Sequence, residues 1–409
     1  MTATLLTGLG ARLARPVTKG ERQRARLHLL DWLACIAGAR GSAAGALAAA
    51  LPGEDWARAA WLGNVLEMDD VHRTALLHPG PVVWPVALSM ASAGMEARLD
   101  AAVRGYEAMI AIGAAFDAHH YVHWHPTATM GGLGAAAAFG SLLGFAPLDY
   151  AHALANAGSV AGGVWHMRHA PGVLTKQWHI YNAACTGRDA ALHVHYGATG
   201  PMALLEGAQG LFAAMTKAPG PLAGGDAGWL IHTVSFKPFA ACRHAHPAID
   251  AALELRARGQ LCAPFHVETY ADALTFCDRP EPRTELEAKF SLQHAVAVVA
   301  DGRAAEPQDF TPQAIAALAP LRAQVSVAED AAFTARYPAH FGARLNGLEV
   351  IDTLGDPERP VSAEHIIAKL HSLARWGGWS AGEAERAVRL ALEDDDAASL
   401  DLLLAALIR

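Results

Sequence analysis

"GGDAGWLIHTVSFKPF", residues 224 to 239, is where the texture of this chain changes. Before it, apolar residues recur three or four apart in runs separated by short Gly/Pro punctuation. That spacing predicts helices over Glu21–Gly38, Pro81–Leu99, Ala101–Ala118, Gly132–Leu143, Leu148–Ala161 and Ala183–Tyr196. After it come short β-like runs, "HVETYADAL" (266–274), "AQVSVAED" (323–330) and "GARLNGLEVIDTL" (342–354). Helical patterns at His246–Arg258 and Leu292–Ala300 are mixed among them, and helix returns from Ser362 to Arg409. The order predicts a mainly α fold with an inserted α+β domain. Residues 1–234 form an all-helical body, completed by 357–409, and residues 235–356 form a smaller α/β lid.

Composition narrows the class. A chain of 409 residues exceeds what one core usually supports, so two domains are expected. With 52% hydrophobic and 18% charged residues it reads as ordered and globular. The net charge of -8 argues against nucleic acid, which needs a basic face, but leaves room for a local pocket that binds small anions. Five cysteines, odd in number and without CxxC spacing, indicate neither a disulfide framework nor a zinc knuckle, and a reducing cytoplasm fits them. The N-terminal stretch lacks the apolar core of a secretory signal. Ala118 to Leu148 carries no Asp, Glu, Lys or Arg and is long enough to span a bilayer, yet His, Pro and Gly interrupt it. A buried helix behind a polar loop, with no membrane partner, is the expectation.

Four segments concentrate polar groups beyond what packing requires. "EMDDVHRTALLHPG" holds Glu67, Asp69, Asp70, His72, Arg73 and His78, and "HHYVHWHPTATMGG" holds His119, His120, His123 and His125. "WHMRHAPGVLTKQWHIYNAA" brings His166, Arg168, His169, Lys176 and His179, and "SFKPFAACRHAHPAID" brings Lys237, Cys242, Arg243, His244 and His246. Buried Lys, Arg and His need partners, and a substrate with two or three carboxylates supplies them. Each segment also has a plainer reading. Asp69 and Asp70 suit helix caps, single histidines are commonly structural, and His119 with His123 at i, i+4 lacks the further ligands of a zinc site. No metal ligand set is therefore assigned. GxSxG, P-loop and GxGxxG fingerprints are missing.

Together these stretches resemble the MmgE/PrpD family, which includes 2-methylcitrate dehydratase, cis-aconitate decarboxylase and iminodisuccinate epimerase. The resemblance runs nearly end to end. Besides residues 67–80 it rests on "HLLDWLACIAG" (28–38), "HWHPTATMGGLGAAAAFGSLLG" (123–144), "TKQWHIYNAACTG" (175–187) and "GPMALLEGAQGLF" (200–212). It continues through "SFKPFAACRHAHPAIDAALEL" (235–255), "EAKFSLQHAVAVVADG" (287–302) and "GDPERPVS" (355–362). It implies a helical domain, a smaller lid, a homodimer, and an interdomain cleft that binds small polycarboxylates without metal or organic cofactor. Residue by residue, it implies His78 as the proton-transfer group, Lys176 and Lys237 as the lysines that polarise carboxylates, and His125 in the pocket wall. Around these, Glu67, Asp70, His72, Arg73, Arg168, His169, His179, Cys242, Arg243, His246 and His294 are expected to meet the substrate.

Departures from the family limit the chemistry. Decarboxylase members carry Thr where Val71 aligns, Asp at Glu67, His at Cys242 and Tyr at His294, so decarboxylation is not expected. The sequence predicts a lyase of the dehydratase kind or an epimerase, acting at the carbon α to a carboxylate of a small di- or tricarboxylate. Two other classes compete: a non-catalytic binding protein on the same fold, and a metal-dependent hydrolase.

Overall fold

The structure is a computed structural model that describes residues 4–170, 173–225 and 228–408. It is mainly helical, with one small sheet. The Lys19–Ala39 helix opens on Thr18, whose hydroxyl and Glu21 form a capping box. Its centre is buried, and the Ala363–Trp376 helix from the C-terminal stretch packs along it. Lys369 on that returning helix reaches Asp31 Oδ1 at 2.6 Å, and Arg98 is held by Asp401 at 2.6 and 2.8 Å. The tail is thus fastened to the N-terminal helices by buried ion pairs.

At the centre lies the Pro126–Leu142 helix, buried along nearly its whole length, between the Met95–Gly113 and Thr175–His195 helices. Small residues set the spacing: a Cβ on Gly187 would stand 2.2 Å from the Gly132 carbonyl oxygen. Among the described residues no single helix is long and apolar enough to cross a membrane.

Two expected boundaries shift. Pro81–Leu99 is not one helix: Gly80–Ala87 ends, a turn intervenes, and Met95–Gly113 begins at an extended Gly94. The second helix runs straight through Asp100, which Arg22 holds at 2.7 Å, so Asp100 does not divide helices as its position between two apolar runs suggested. Likewise 266–274 is a strand only to Thr269, and Ala271–Cys277 is helical because the alternation stops at Tyr270.

The sheet contains β1 (Phe265–Thr269), β2 (Val325–Glu329), β3 (Ala343–Leu345) and β4 (Leu348–Val350), in the order β2-β1-β3-β4. β1 and β2 run parallel, with Val267 opposite Val327, and the β1/β3 and β3/β4 pairs are antiparallel. All four strands fall inside 235–356. β3 and β4 pack on the His246–Ala257 helix, and β2 packs on the neighbouring Leu292–Ala300 helix. Two backbone bonds between Val71 and Ser235, 3.0 and 2.9 Å, stitch the start of this segment to residues 67–80.

Candidate functional site

The loop from Glu67 to Gly80 is buried and strained. Glu67 (φ 56°) and Leu76 (φ 53°) both adopt the left-handed region, which a side chain with a Cβ disfavours. Asp70 anchors it from behind. Its Oδ1 accepts the Gly80 amide at 2.9 Å, and its Oδ2 accepts the Tyr106 hydroxyl at 2.5 Å and lies 2.7 Å from His28 Nδ1. A Cβ on residue 80 would stand 2.6 Å from Asp70 Oδ1, so glycine is required there. Burial pushes the Asp70 carboxyl up to about 6, against the pull of its Tyr106 and Gly80 hydrogen bonds. Asp70 thus caps the Gly80–Ala87 helix, as the plainer reading of the acid pair suggested, and does not face the cavity.

Asp69 turns the other way. Its Oδ2 lies 2.8 Å from His78 Nδ1 and its Oδ1 accepts Asn64 Nδ2 at 2.6 Å. The His78 contact is close but bent, since neither atom forms a well-aligned hydrogen bond. Burial would raise the Asp69 carboxyl, but His78 and the two nearby lysines outweigh it and hold the group well below the usual carboxylate range. The His78 amide donates to Thr127 Oγ1 at 3.1 Å, fixing the backbone as well.

Three lysines surround the loop, Lys237 buried and Lys176 and Lys369 partly so, each with a different task. Lys176 Nζ donates to Glu67 Oε1 at 2.6 Å; burial lowers its pKa, but Glu67 and Asp69 reverse the shift and raise it. Lys237 is sealed, with Nζ 3.8 Å from Glu67 Oε2 and no hydrogen-bond partner, and burial lowers its pKa. Lys369 donates to the carbonyl oxygens of Met68 and Lys237 at 2.5 and 3.0 Å, tying the loop to the segment that carries Lys237.

Of these groups Glu67, His78 and Lys176 face a cavity of about 130 Å³. One wall carries Glu67, Val71, Leu76, His78, Tyr121, His125, Trp165, Arg168 and Lys176. The other, from the sheet-bearing segment, carries Cys242, Arg243, His244, Phe276, Arg279, Phe290 and Phe341. His125 sits at the N-cap of the Pro126–Leu142 helix without a cap hydrogen bond. Its ring stacks on Trp165 at 4.6 Å, its Nδ1 is 3.3 Å from His179 Nδ1, and burial followed by Lys176 keeps it well below the usual imidazole range. Arg243 Nη2 donates to Asp356 Oδ1, while its Nε and Nη1 have no hydrogen-bond partner. Burial would raise the Cys242 thiol, but the Cys277 thiol, Lys237 and the His244 amide bring it below its ordinary value.

Of the residues nominated by sequence, His78, His125, Lys176, Glu67, Arg168, Cys242 and Arg243 share this cavity, with His179 just behind His125. Lys237 stands behind Glu67 and reaches the cavity only through it. Six others are placed elsewhere, because protein groups already use their polar atoms or because they lie on another surface. Asp70 holds Gly80, and His72 bonds Thr233 Oγ1 at 3.1 Å and the Ala75 amide. Arg73 ties the loop to Asp352 (2.8 Å) and Glu358 (2.7 Å). His246 meets the Ala241 carbonyl at 3.1 Å, and His294 meets the Asp309 carbonyl at 2.9 Å deep beside Phe310. His169 lines a separate surface groove with His119, His123 and His166, which shares Trp165 and Arg168 with the cavity. Asp352, Asp356 and Glu358 cluster closely enough to hold a cation, but Arg73 and Arg243 already answer their charge.

Sequence reasoning missed Tyr121, Arg279 and His244 as wall residues and gave Asp69 only a capping role. The first two carry no motif. His244 was visible within a basic segment but without a role.

The chain matches the MmgE/PrpD N-terminal domain over residues 56–222 and the MmgE/PrpD C-terminal domain over 239–394. It belongs to the MmgE/PrpD family. The two matches meet across residues 223–238, where the sequence texture changes, and together they cover most of the chain. A search of the curated proteins finds no match. MmgE/PrpD membership implies dehydratase- or lyase-type chemistry on small carboxylates.

Proposed function

We propose that this chain is a lyase or isomerase that moves a proton at the carbon α to a carboxylate of a small di- or tricarboxylate, with every step assigned to side chains. The observation that carries the reading is His78, backed by Asp69, on the wall of a cavity that also carries Lys176 and Arg243. A carboxylate at Nδ1 leaves Nε2 as the working atom and steadies the imidazolium when it forms. Lys176 and Arg243 supply positive charge where the enediolate develops. Arg243 borders the cavity, with Nη2 held by Asp356, so its charge is fixed at the wall. A purely binding protein gains nothing from a carboxylate placed behind His78.

Incubation in D2O with citrate-, aconitate-, tartrate- and imino-dicarboxylate compounds, followed by proton NMR, tests the reading. Exchange without net loss identifies an epimerase and a new vinyl signal identifies a dehydratase. No exchange with any compound, or stoichiometric zinc in the purified protein, overturns it. The homodimer and the cytoplasmic location belong to the same proposal, and sedimentation tests the first.

A further inference from the structure

His244 is the one wall residue on the sheet-bearing side built like His78. Its Nδ1 lies 2.7 Å from the Tyr270 hydroxyl, as His78 Nδ1 lies 2.8 Å from Asp69. Its ring is clamped between Phe276, stacked at 4.9 Å and 9°, and Phe341, stacked at 5.4 Å and 25°. Orientation is therefore fixed from behind, and the tautomer that donates Nδ1–H to the Tyr270 oxygen leaves Nε2 free to take a proton. No protein group bonds Nε2 among the described residues, nor is that atom sealed as His246 Nδ1 is. A purely packing role is met by any flat ring between two phenylalanines, and it gives no use to an unbonded polar nitrogen facing a cavity. Substrate supplies the missing partner.

We propose that His244 is a second catalytic residue, a base that works from the opposite domain to His78; the assignment rests on the proton-transfer reading above. Nε2 of His244 takes the proton from the carbon α to a carboxylate, and the C–H electron pair passes into that carboxylate as an enediolate. His78 Nε2 then gives its proton. Delivered to the other face of the same carbon, it restores C–H with inverted configuration; delivered to a β-hydroxyl, it lets water leave as the C=C bond forms. One proton enters His244 and one leaves His78, and solvent resets both. Burial, then Arg243 and Lys237, push the His244 pKa down to about 3, so the free protein holds the neutral imidazole that a base must be. An anionic substrate beside Arg243 offsets that cation and raises the proton affinity of His244 at the moment it is needed.

The test uses the full chain and the compound that the wild type exchanges in the D2O panel. His78→Gln is expected to keep washing the α-proton of one stereoisomer into solvent while making no product. His244→Gln is expected to lose both wash-out and product from that stereoisomer by roughly 10²- to 10⁴-fold, with KM little changed and the same melting temperature. Tyr270→Phe keeps the ring and its packing and removes only the Nδ1 partner. It guards against a His244 variant that fails to fold, and kcat is expected to fall roughly tenfold at constant KM. A folded His244→Gln with near-normal wash-out, or an unchanged kcat in Tyr270→Phe, overturns the proposal while leaving proton transfer by this family member intact. A wild type that exchanges nothing overturns the reading on which it rests.

Discussion

Of the places where the backbone turns left-handed, two make an instructive contrast. Between β3 and β4 it does so at Asn346 (φ 45°) and Gly347 (φ 90°), residues that tolerate the conformation and make a tight hairpin turn. In the loop that carries His78 it does so at Glu67 (56°) and Leu76 (53°), residues that do not. Strain of this kind costs on the order of 1–3 kcal/mol per residue and persists only where surroundings over-determine the backbone. Here they do: Lys176 grips Glu67, Lys369 grips Met68, Asp70 grips Gly80 and Ser235 pairs with Val71. The hairpin chooses residues to suit its shape, whereas the site loop forces a shape on residues chosen for their chemistry.

If that contrast is right, the largest effects come from the site loop and barely touch stability. His78→Gln is expected to lower kcat by roughly 10²- to 10⁴-fold with KM nearly constant. Asp69→Asn, which keeps the shape and removes the charge behind Nδ1, is expected to fall in the same range. Because the two act as one unit, the double variant should be little worse than either alone. Turnover of the D2O-panel substrate, measured beside melting temperature, decides it; folded variants with near-normal kcat would reduce the loop to an elaborate cap.

Lys176→Met comes next. It keeps the aliphatic stem, deletes one carboxylate-binding charge from the cavity and leaves Glu67 with only Lys237 at 3.8 Å. KM is expected to rise tenfold or more together with some loss of kcat, since ground state and transition state both use the charge. Steady-state kinetics that show a kcat effect alone would assign Lys176 to the chemistry and not to binding.

How much of this was legible beforehand follows from what each part depends on. Helices, strands and the change at residues 224–239 depend on local periodicity, and the errors lie at boundaries: "LSMASAG" breaks a helix without Pro, Asp100 does not break one, and 266–274 turns helical after Thr269. Residues 342–354 read as one β-like run, which the Asn346–Gly347 turn in fact divides into β3 and β4. The loop itself was conspicuous because charge crowded against an apolar run. Which acid does what was not legible, because Asp69 and Asp70 differ only in the partners that folding brings to them: Asn64 and His78 for one, His28 and Tyr106 for the other. His294 was nominated by resemblance alone, and only burial beside Asp309 and Arg322 reveals its structural place.

That adjacent pair offers a smaller, purely thermodynamic test. The folded-state pKa of Asp70 is raised from 3.8 to about 6, so between those values the folded chain binds a proton that the unfolded chain has released. Stability contributed by Asp70 therefore falls as pH rises through this window, the opposite sign to Asp69, whose lowered pKa adds stability above the unfolded value. Asp70→Asn cannot titrate. Relative to the variant, the wild type is expected to lose about 2 kcal/mol between pH 4.5 and 7.5. Urea melts of both proteins at the two pH values measure the difference, and an unchanged or rising difference would show that Asp70 is ionised without penalty.

The smallest expected effect lies in the hairpin, and it isolates backbone strain from everything else. A Cβ on Gly347 meets no atom within 4 Å, so Gly347→Ala adds no clash and removes no contact. Only the left-handed backbone objects, at about 1 kcal/mol. Asn346 should hold the turn in place regardless, because its Oδ1 accepts the His266 amide at 2.8 Å and its Nδ2 donates to the Cys262 and Pro264 carbonyls at 3.0 and 3.1 Å. The variant is therefore expected to lose about 1 kcal/mol in a urea melt and to keep its kcat and KM. A kinetic change of tenfold would mean that strain in the hairpin is transmitted through β3 to Phe341 and Arg243 on the cavity wall, and the two left-handed sites would then be one coupled system instead of two independent ones.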